Sequence, residues 1–140
     1  MYIFYAFLSS IFAAAVAILA KLGLSGIDST LATTVRSMIM AAFLVITSGL
    51  LGRWSGLSLS MFSGKQWLLI VGSGIAGALS WLFYFFALQN GAAGPVSAID
   101  RMSLVFVILL AAIFLGETLT WKVGIGAVLM ALGAILIVIK

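Results

Sequence analysis

The stretch that decides the fold runs from Ala87 to Gly126: ALQNGAAGPVSAIDRMSLVFVILLAAIFLGETLTWKVGIG. It reads as a long apolar helix that opens near Gly94-Pro95, carries an acid-base pair at Asp100-Arg101, and ends at Leu115. Proline suits a first helical turn, where its missing N–H would have no intrahelical partner anyway. A short polar hinge, Gly116-Glu117-Thr118-Leu119-Thr120, leads into a second apolar helix. Charges inside an apolar span are costly, so Asp100 and Arg101 are the first residues to question for function.

Working outward, the whole chain shares this character. Of 140 residues, 65% are hydrophobic and 7% charged, and the mean hydropathy is +1.37. Soluble domains carry roughly 25% charged residues, so this composition belongs in a bilayer. Five spans are predicted, at about 3–22, 30–51, 66–88, 95–115 and 121–139, giving an all-α polytopic membrane domain. The first lacks the basic start and short apolar core of a secretory signal and reads as a retained helix. Its alanines at 13, 14, 15, 17 and 20 allow close helix approach. Asp28, Ser29 and Thr30 are the capping candidates for the second span.

The same stretch carries a family resemblance. ALQNGAAGPVSAIDRMSLVFVILLAAIFLGETLT resembles the last third of an EamA domain of the drug/metabolite transporter superfamily, in which a helix ends in a Gly-Glu-x-Leu-Thr turn and a Gly-rich helix follows. Span count and spacing carry the resemblance over the whole chain, and its specific part lies between about Trp81 and Gly133. The five-span length is similar to small single-domain bacterial members. The resemblance implies a transport role and half of a ten-helix inverted-repeat transporter, but no particular solute. Small multidrug-resistance proteins of the same superfamily depend on a first-span glutamate. Residues 3–22 hold no acidic residue, which sets this chain apart from proton-coupled export of cationic drugs.

Several chemistries are excluded by residue type. With no cysteine and no histidine, disulfides, thiolate metal sites and imidazole catalysis are absent. No catalytic constellation, metal site or cofactor motif is found, and an enzyme is not expected. Gly72-x-Gly74-x-x-Gly77 matches a dinucleotide pattern, but it sits within an apolar span and lacks the preceding strand such a site needs. The net charge of +4 comes from scattered residues, not from a nucleic-acid-binding patch. Lys21, Arg53, Lys65, Lys122 and Lys140 read as membrane-flanking anchors. Three of them fall on the amino-terminal side and two on the other, which places the amino terminus weakly in the cytoplasm.

Three features are candidates for function. First, Arg36 lies six residues into span two and Asp100 five into span four. Both spans start on the same side, so the two charges reach similar depth, with Arg101 adjacent and Ser37, Ser97 and Ser103 nearby. An unpaired charge there costs at least ~2.5 kcal/mol. The group is therefore either a structural ion pair with one arginine reaching for the interface, or the polar lining of a solute path favouring an anionic or zwitterionic solute. Second, Trp81, Tyr84 and Phe85 share a face of span three by their i, i+3, i+4 spacing, either as packing or as a cavity wall. Third, Gly124, Ala127 and Ala131 form a small-residue face on span five for helix contact, within or between chains. Trp54, Trp67 and Trp121 read as an interfacial belt. The loop 52–65 is expected at the bilayer interface because Trp54, Leu57, Leu59, Met61 and Phe62 alternate with Ser and Gly.

The sequence reading is thus a small secondary transporter of the inner membrane. Its partners are a small-molecule solute, the lipid bilayer, and a second five-span half, because five helices rarely enclose a path alone. An antiparallel homodimer is expected, with a heterodimer as the alternative arrangement. The contrasting function is a non-transporting membrane subunit that stabilises a larger complex.

Overall fold

The structure, a computed structural model, describes residues 1–55, 58 and 61–139. Its elements are α1 (Tyr2–Gly23), α2 (Ser29–Leu50), α3 (Gly64–Asn90), α4 (Ala93–Asp100), α5 (Ser103–Leu110), one π-helical turn (Ala111–Leu115) and α6 (Trp121–Val138). Five helical segments are long and apolar enough to cross a membrane, with α4, α5 and the π-helical turn forming the fourth, Ala93–Leu115. Among the described residues there is no strand. The parts of the interfacial loop reading that rest on Leu57 and Leu59 lie outside the described residues, as does the anchor Lys140.

The burial pattern explains why a bilayer is needed. Buried side chains are few and mostly small, such as Ala17, Ala98 and Ala134, while Phe4, Leu19, Phe43, Leu68, Phe83, Phe114 and Leu136 are each more than half exposed. In water, apolar area left uncovered forfeits roughly 25 cal/mol per Å². In lipid the same area is already solvated, and the remaining contacts between helices rest on close packing of small side chains.

The chain divides into two compact units. The first comprises Gly23–Gln89 and contains α2 and α3. Asp28 caps α2, accepting from the Leu31 N–H at 3.0 Å. Past the end of α2, Gly52 takes a left-handed turn (φ +66°), and Trp54 Nε1 donates to Ser48 Oγ at 2.8 Å. At the start of α3 a reciprocal pair closes: Ser63 N–H donates to Gln66 Oε1 at 2.8 Å, and Gln66 N–H donates to Ser63 Oγ at 3.3 Å. This is capping-box chemistry, which satisfies amides that have no partner in the first turn. At 27 residues, α3 is about 40 Å long at 1.5 Å per residue. That exceeds the ~30 Å hydrocarbon layer and is accommodated by tilt or by projection into the interface. Near the other end, Gln89 Nε2 donates to Ile27 O at 3.1 Å.

The second unit comprises Met1–Leu22 and Asn90–Lys140. Here α4 and α5 pack against α6, and Lys21 Nζ donates to Gly91 O at 2.9 Å. The fourth span is continuous but is not the single regular helix its composition predicts. At Arg101 and Met102 the ψ angles shallow to −12° and −21°. The amides of Met102, Leu104 and Val105 bond three residues back instead of four. This is the tighter 3₁₀ pattern, which in mid-helix marks a hinge or local strain. At the far end the ladder widens instead: Gly116 and Glu117 both donate to Ala111 O. Gly116 closes the turn at φ +68°, a conformation glycine adopts without the Cβ penalty. Glu117 is exposed. Thr120 then caps α6, accepting from the Val123 N–H at 3.4 Å.

Candidate functional site

The polar residues of α2 fall on two adjoining faces. Ser29, Thr33 and Arg36 follow an i, i+4, i+7 stripe, so they stack on one side of the helix. Ser29 and Thr33 are buried and Arg36 is half-buried. Thr33 Oγ1 donates to Ser29 O at 2.7 Å. The guanidinium carbon of Arg36 lies 3.8 Å from the Trp81 ring centroid and 5.5 Å from that of Phe85. Trp81 is in turn held edge-on by Tyr84 at 5.6 Å and by Phe85 at 6.1 Å. The aromatic face foreseen on span three therefore serves as a tray for the charge on span two. Ring quadrupoles attract a cation placed over their face, and a guanidinium presents a flat face to match.

Two buried polar atoms of this unit have no hydrogen-bond partner among the described residues: Ser29 Oγ and Arg36 Nη1. Both belong to the 29–33–36 stripe. Such groups are uncommon in native structures and each calls for an explanation.

On another face of the same two helices is an open cavity of about 500 Å³, lined by Thr30, Thr33, Thr34, Ser37, Met38 and Ala41 of α2 and by Ala78, Leu79 and Leu82 of α3; neither Arg36 nor Trp81 belongs to its wall. Within it, Thr34 Oγ1 donates to Thr30 O at 2.8 Å and Ser37 Oγ to Thr33 O at 2.8 Å. With their protons bonded to the helix backbone, these hydroxyls keep lone pairs to accept from a guest.

The remaining candidates belong to the other unit. Asp100 is half-buried at the last residue of α4, and Arg101, which follows it, is exposed. No ion pair between the two is found among the described residues. Arg101 N–H donates to Ser97 O at 3.2 Å, and Ser103 begins α5 as an exposed residue. Asp100 and Arg101 thus sit at the 3₁₀ break of the fourth span, about 12 Å along it at 1.5 Å per residue. On α6, Ala127 and Ala131 are half-buried and Gly124 is exposed. Ala134, which continues the same stripe, is 7% exposed.

Sequence reasoning set Arg36 apart from the Trp81–Tyr84–Phe85 face, and the fold brings the guanidinium onto that face. It overlooked the hydroxyl face of α2. The signal was present, since Thr30, Thr33, Thr34 and Ser37 recur at i, i+3, i+4, i+7 in an otherwise apolar helix. Ala134 was likewise overlooked as the most enclosed member of its small-residue stripe.

Comparison with known proteins agrees with this architecture. The chain is 36% identical over 136 residues to a Sinorhizobium sp. protein described as an uncharacterized transporter in the cobO 3′ region, covering 97% of this chain and 95% of that protein. No solved structure matches. The profile of the EamA-like transporter family matches residues 1–139, and this multi-pass membrane chain belongs to that family.

Proposed function

We propose that the protein is a secondary transporter that moves a small metabolite or drug-like solute across the inner (cytoplasmic) membrane, working as a dimer. The observation that carries this reading is the open cavity of about 500 Å³ with its threonine and serine hydroxyls, between two helices apolar enough to span a bilayer that also hold the Arg36–Trp81 stack. A permanent charge held at such depth is costly. A hydroxyl-bearing cavity of that size is in the range that takes small molecules. The sequence holds no phosphate-binding loop that would make it an ATP-driven pump, and a gradient of solute or of a coupling ion would drive the transport.

The dimer is supported by Arg101. It is exposed at a depth where lipid contact is unfavourable, and a second five-helix half would cover it or share a polar path with it. Transporters built from two inverted halves place the solute near the midplane at their interface.

The test is thermal stabilisation of the purified protein across a metabolite library, followed by counterflow of the stabilising solutes in proteoliposomes. A solute that raises the melting temperature and exchanges across the membrane is the expected result. Stabilisation without exchange for every hit would refute transport and favour a non-transporting membrane subunit.

A further inference from the structure

We infer that the cavity between α2 and α3 receives an uncharged –NH2 group, such as that of a primary carboxamide, on a transported solute whose remaining surface is apolar. This deepens the transport reading above and rests on it.

Three of the four hydroxyls in the wall have spent their proton. Thr33 Oγ1, Thr34 Oγ1 and Ser37 Oγ donate to the carbonyls of Ser29, Thr30 and Thr33 at 2.7, 2.8 and 2.8 Å. A hydroxyl has one proton and two lone pairs, so each of these oxygens can accept from a guest but has nothing to give it. Thr33 is buried, whereas Thr34 and Ser37 are exposed. Those two stand three residues apart, one turn of α2, with about 5–6 Å between their Cβ atoms. An –NH2 group whose hydrogens diverge by about 120° and bond at ~2.9 Å spans acceptors roughly 5 Å apart. One amino group therefore matches both oxygens at once.

Charge of either sign is unsuited to the cavity. No charged residue lines it. An anion would meet the lone pairs of spent hydroxyls. A cation would lack a counter-ion within this unit. Asp28 is the one carboxylate among residues 23–89; it is exposed, stands outside the wall, and accepts from the Leu31 amide. Arg36, on another face of α2, adds a positive charge to the same helix and no donor to the cavity. A charge without a partner in apolar surroundings is costly. The rest of the wall is Met38, Ala41, Ala78, Leu79 and Leu82, which suits a hydrocarbon body behind the amino group. A lipid acyl chain would match that part alone and leave the Thr34 and Ser37 lone pairs without a donor.

The experiment uses the full chain with Ala41→Cys, which puts one thiol in the cavity wall of a chain that has no other. In detergent, its rate of alkylation by N-ethylmaleimide is measured against four probes of similar shape: 4-methylpentanamide, the N,N-dimethyl form of that amide, 4-methylpentanoate and 4-methylpentylammonium. Saturable protection by the primary amide is expected, and protection about tenfold weaker or less with the other three, since two neutral hydrogen bonds are worth about that in net terms. Ser55→Cys, outside the cavity, is expected to react at an unchanged rate. Thr34→Val with Ser37→Ala removes both acceptors and is expected to bring the primary amide down to the level of its dimethyl form. Thr34→Ser keeps the acceptor and is expected to hold the affinity within about twofold. Where the double variant fails to fold, the comparison of the four probes in Ala41→Cys decides.

Equal protection by the dimethyl amide, stronger protection by either ion, or no protection by any probe would overturn the proposal. So would protection of Ser55→Cys to the same degree, or affinity kept within about twofold in Thr34→Val with Ser37→Ala. A thiol at position 41 already shielded in phosphatidylcholine nanodiscs, and indifferent to the amide there, overturns the solute assignment in favour of a lipid chain. Shielding that rises with protein concentration without any probe overturns it in favour of a second copy of the chain. Counterflow separates this inference from the reading beneath it. Exchange of a solute that is indifferent to Thr34→Val with Ser37→Ala overturns the amino-group site and leaves transport standing. Protection by the primary amide with no exchange of any solute does the reverse.

Discussion

Trp81→Leu tests the central contact of the candidate site. The guanidinium lies 3.8 Å from the ring centroid, and both residues are half-buried. Cation–π pairs contribute about 0.5–1 kcal/mol when exposed and ~2 kcal/mol when desolvated, so a coupling of about 1–2 kcal/mol is expected here. Trp81→Leu also loses the edge contacts with Tyr84 and Phe85, at about 0.5–1.5 kcal/mol per aromatic pair. Arg36→Met removes the same coupling but also removes a charge with an unmade buried donor, so its own cost is smaller and near neutral. The double-mutant cycle isolates the shared term. Reversible unfolding in mixed detergent and dodecyl sulfate, followed by far-ultraviolet circular dichroism, supplies the four stabilities. A coupling energy inside the ~0.3–0.5 kcal/mol scatter of independent sites would refute the stack as an energetic contact.

Three further outcomes are expected. Cysteines placed singly at Ser55 and Asn90, at either end of α3, label from opposite sides of the membrane in a cysteine-free background; labelling of both from one side in every molecule contradicts a spanning α3. Gly116→Ala lowers stability by about 1–2 kcal/mol, the cost of a left-handed backbone for a residue with a Cβ. Nothing stands within 4 Å of the added atom, so a thermal shift in detergent reads the backbone term alone, and an unchanged melting temperature removes Gly116 as the turn's determinant. Tags at Met1 and Lys140 each appear in substantial fractions on both faces of intact cells if the dimer is antiparallel, because the loop charge bias is small; a single orientation throughout excludes that arrangement.

The sequence by itself determined the membrane class, the number of spans and the turns between them. These depend on local quantities. A run of about 20 apolar residues is long enough to cross hydrocarbon whatever it packs against. A glycine at position 116 and a capping Asp28 or Thr120 act on the backbone within three or four residues of themselves. The family was legible for the same reason, because its signature from Trp81 to Gly133 is a contiguous string.

The surroundings of Arg36 within its own unit were decided by tertiary structure. Charge and depth alone grouped it with Asp100 and Arg101. Within its unit the structure lays the guanidinium on Trp81, a contact across 45 positions of sequence that no periodicity within either helix encodes. It also put Thr33, which the sequence reading had not singled out, beside Ser37 in the wall of a cavity. The 3₁₀ break at Asp100-Arg101 belongs with these, for it appears only once the amide of each residue has chosen between the third and the fourth carbonyl before it. Local pattern specifies which segments enter the bilayer. What a polar group meets there depends on the faces that packing turns toward it, and that is a property of pairs of helices.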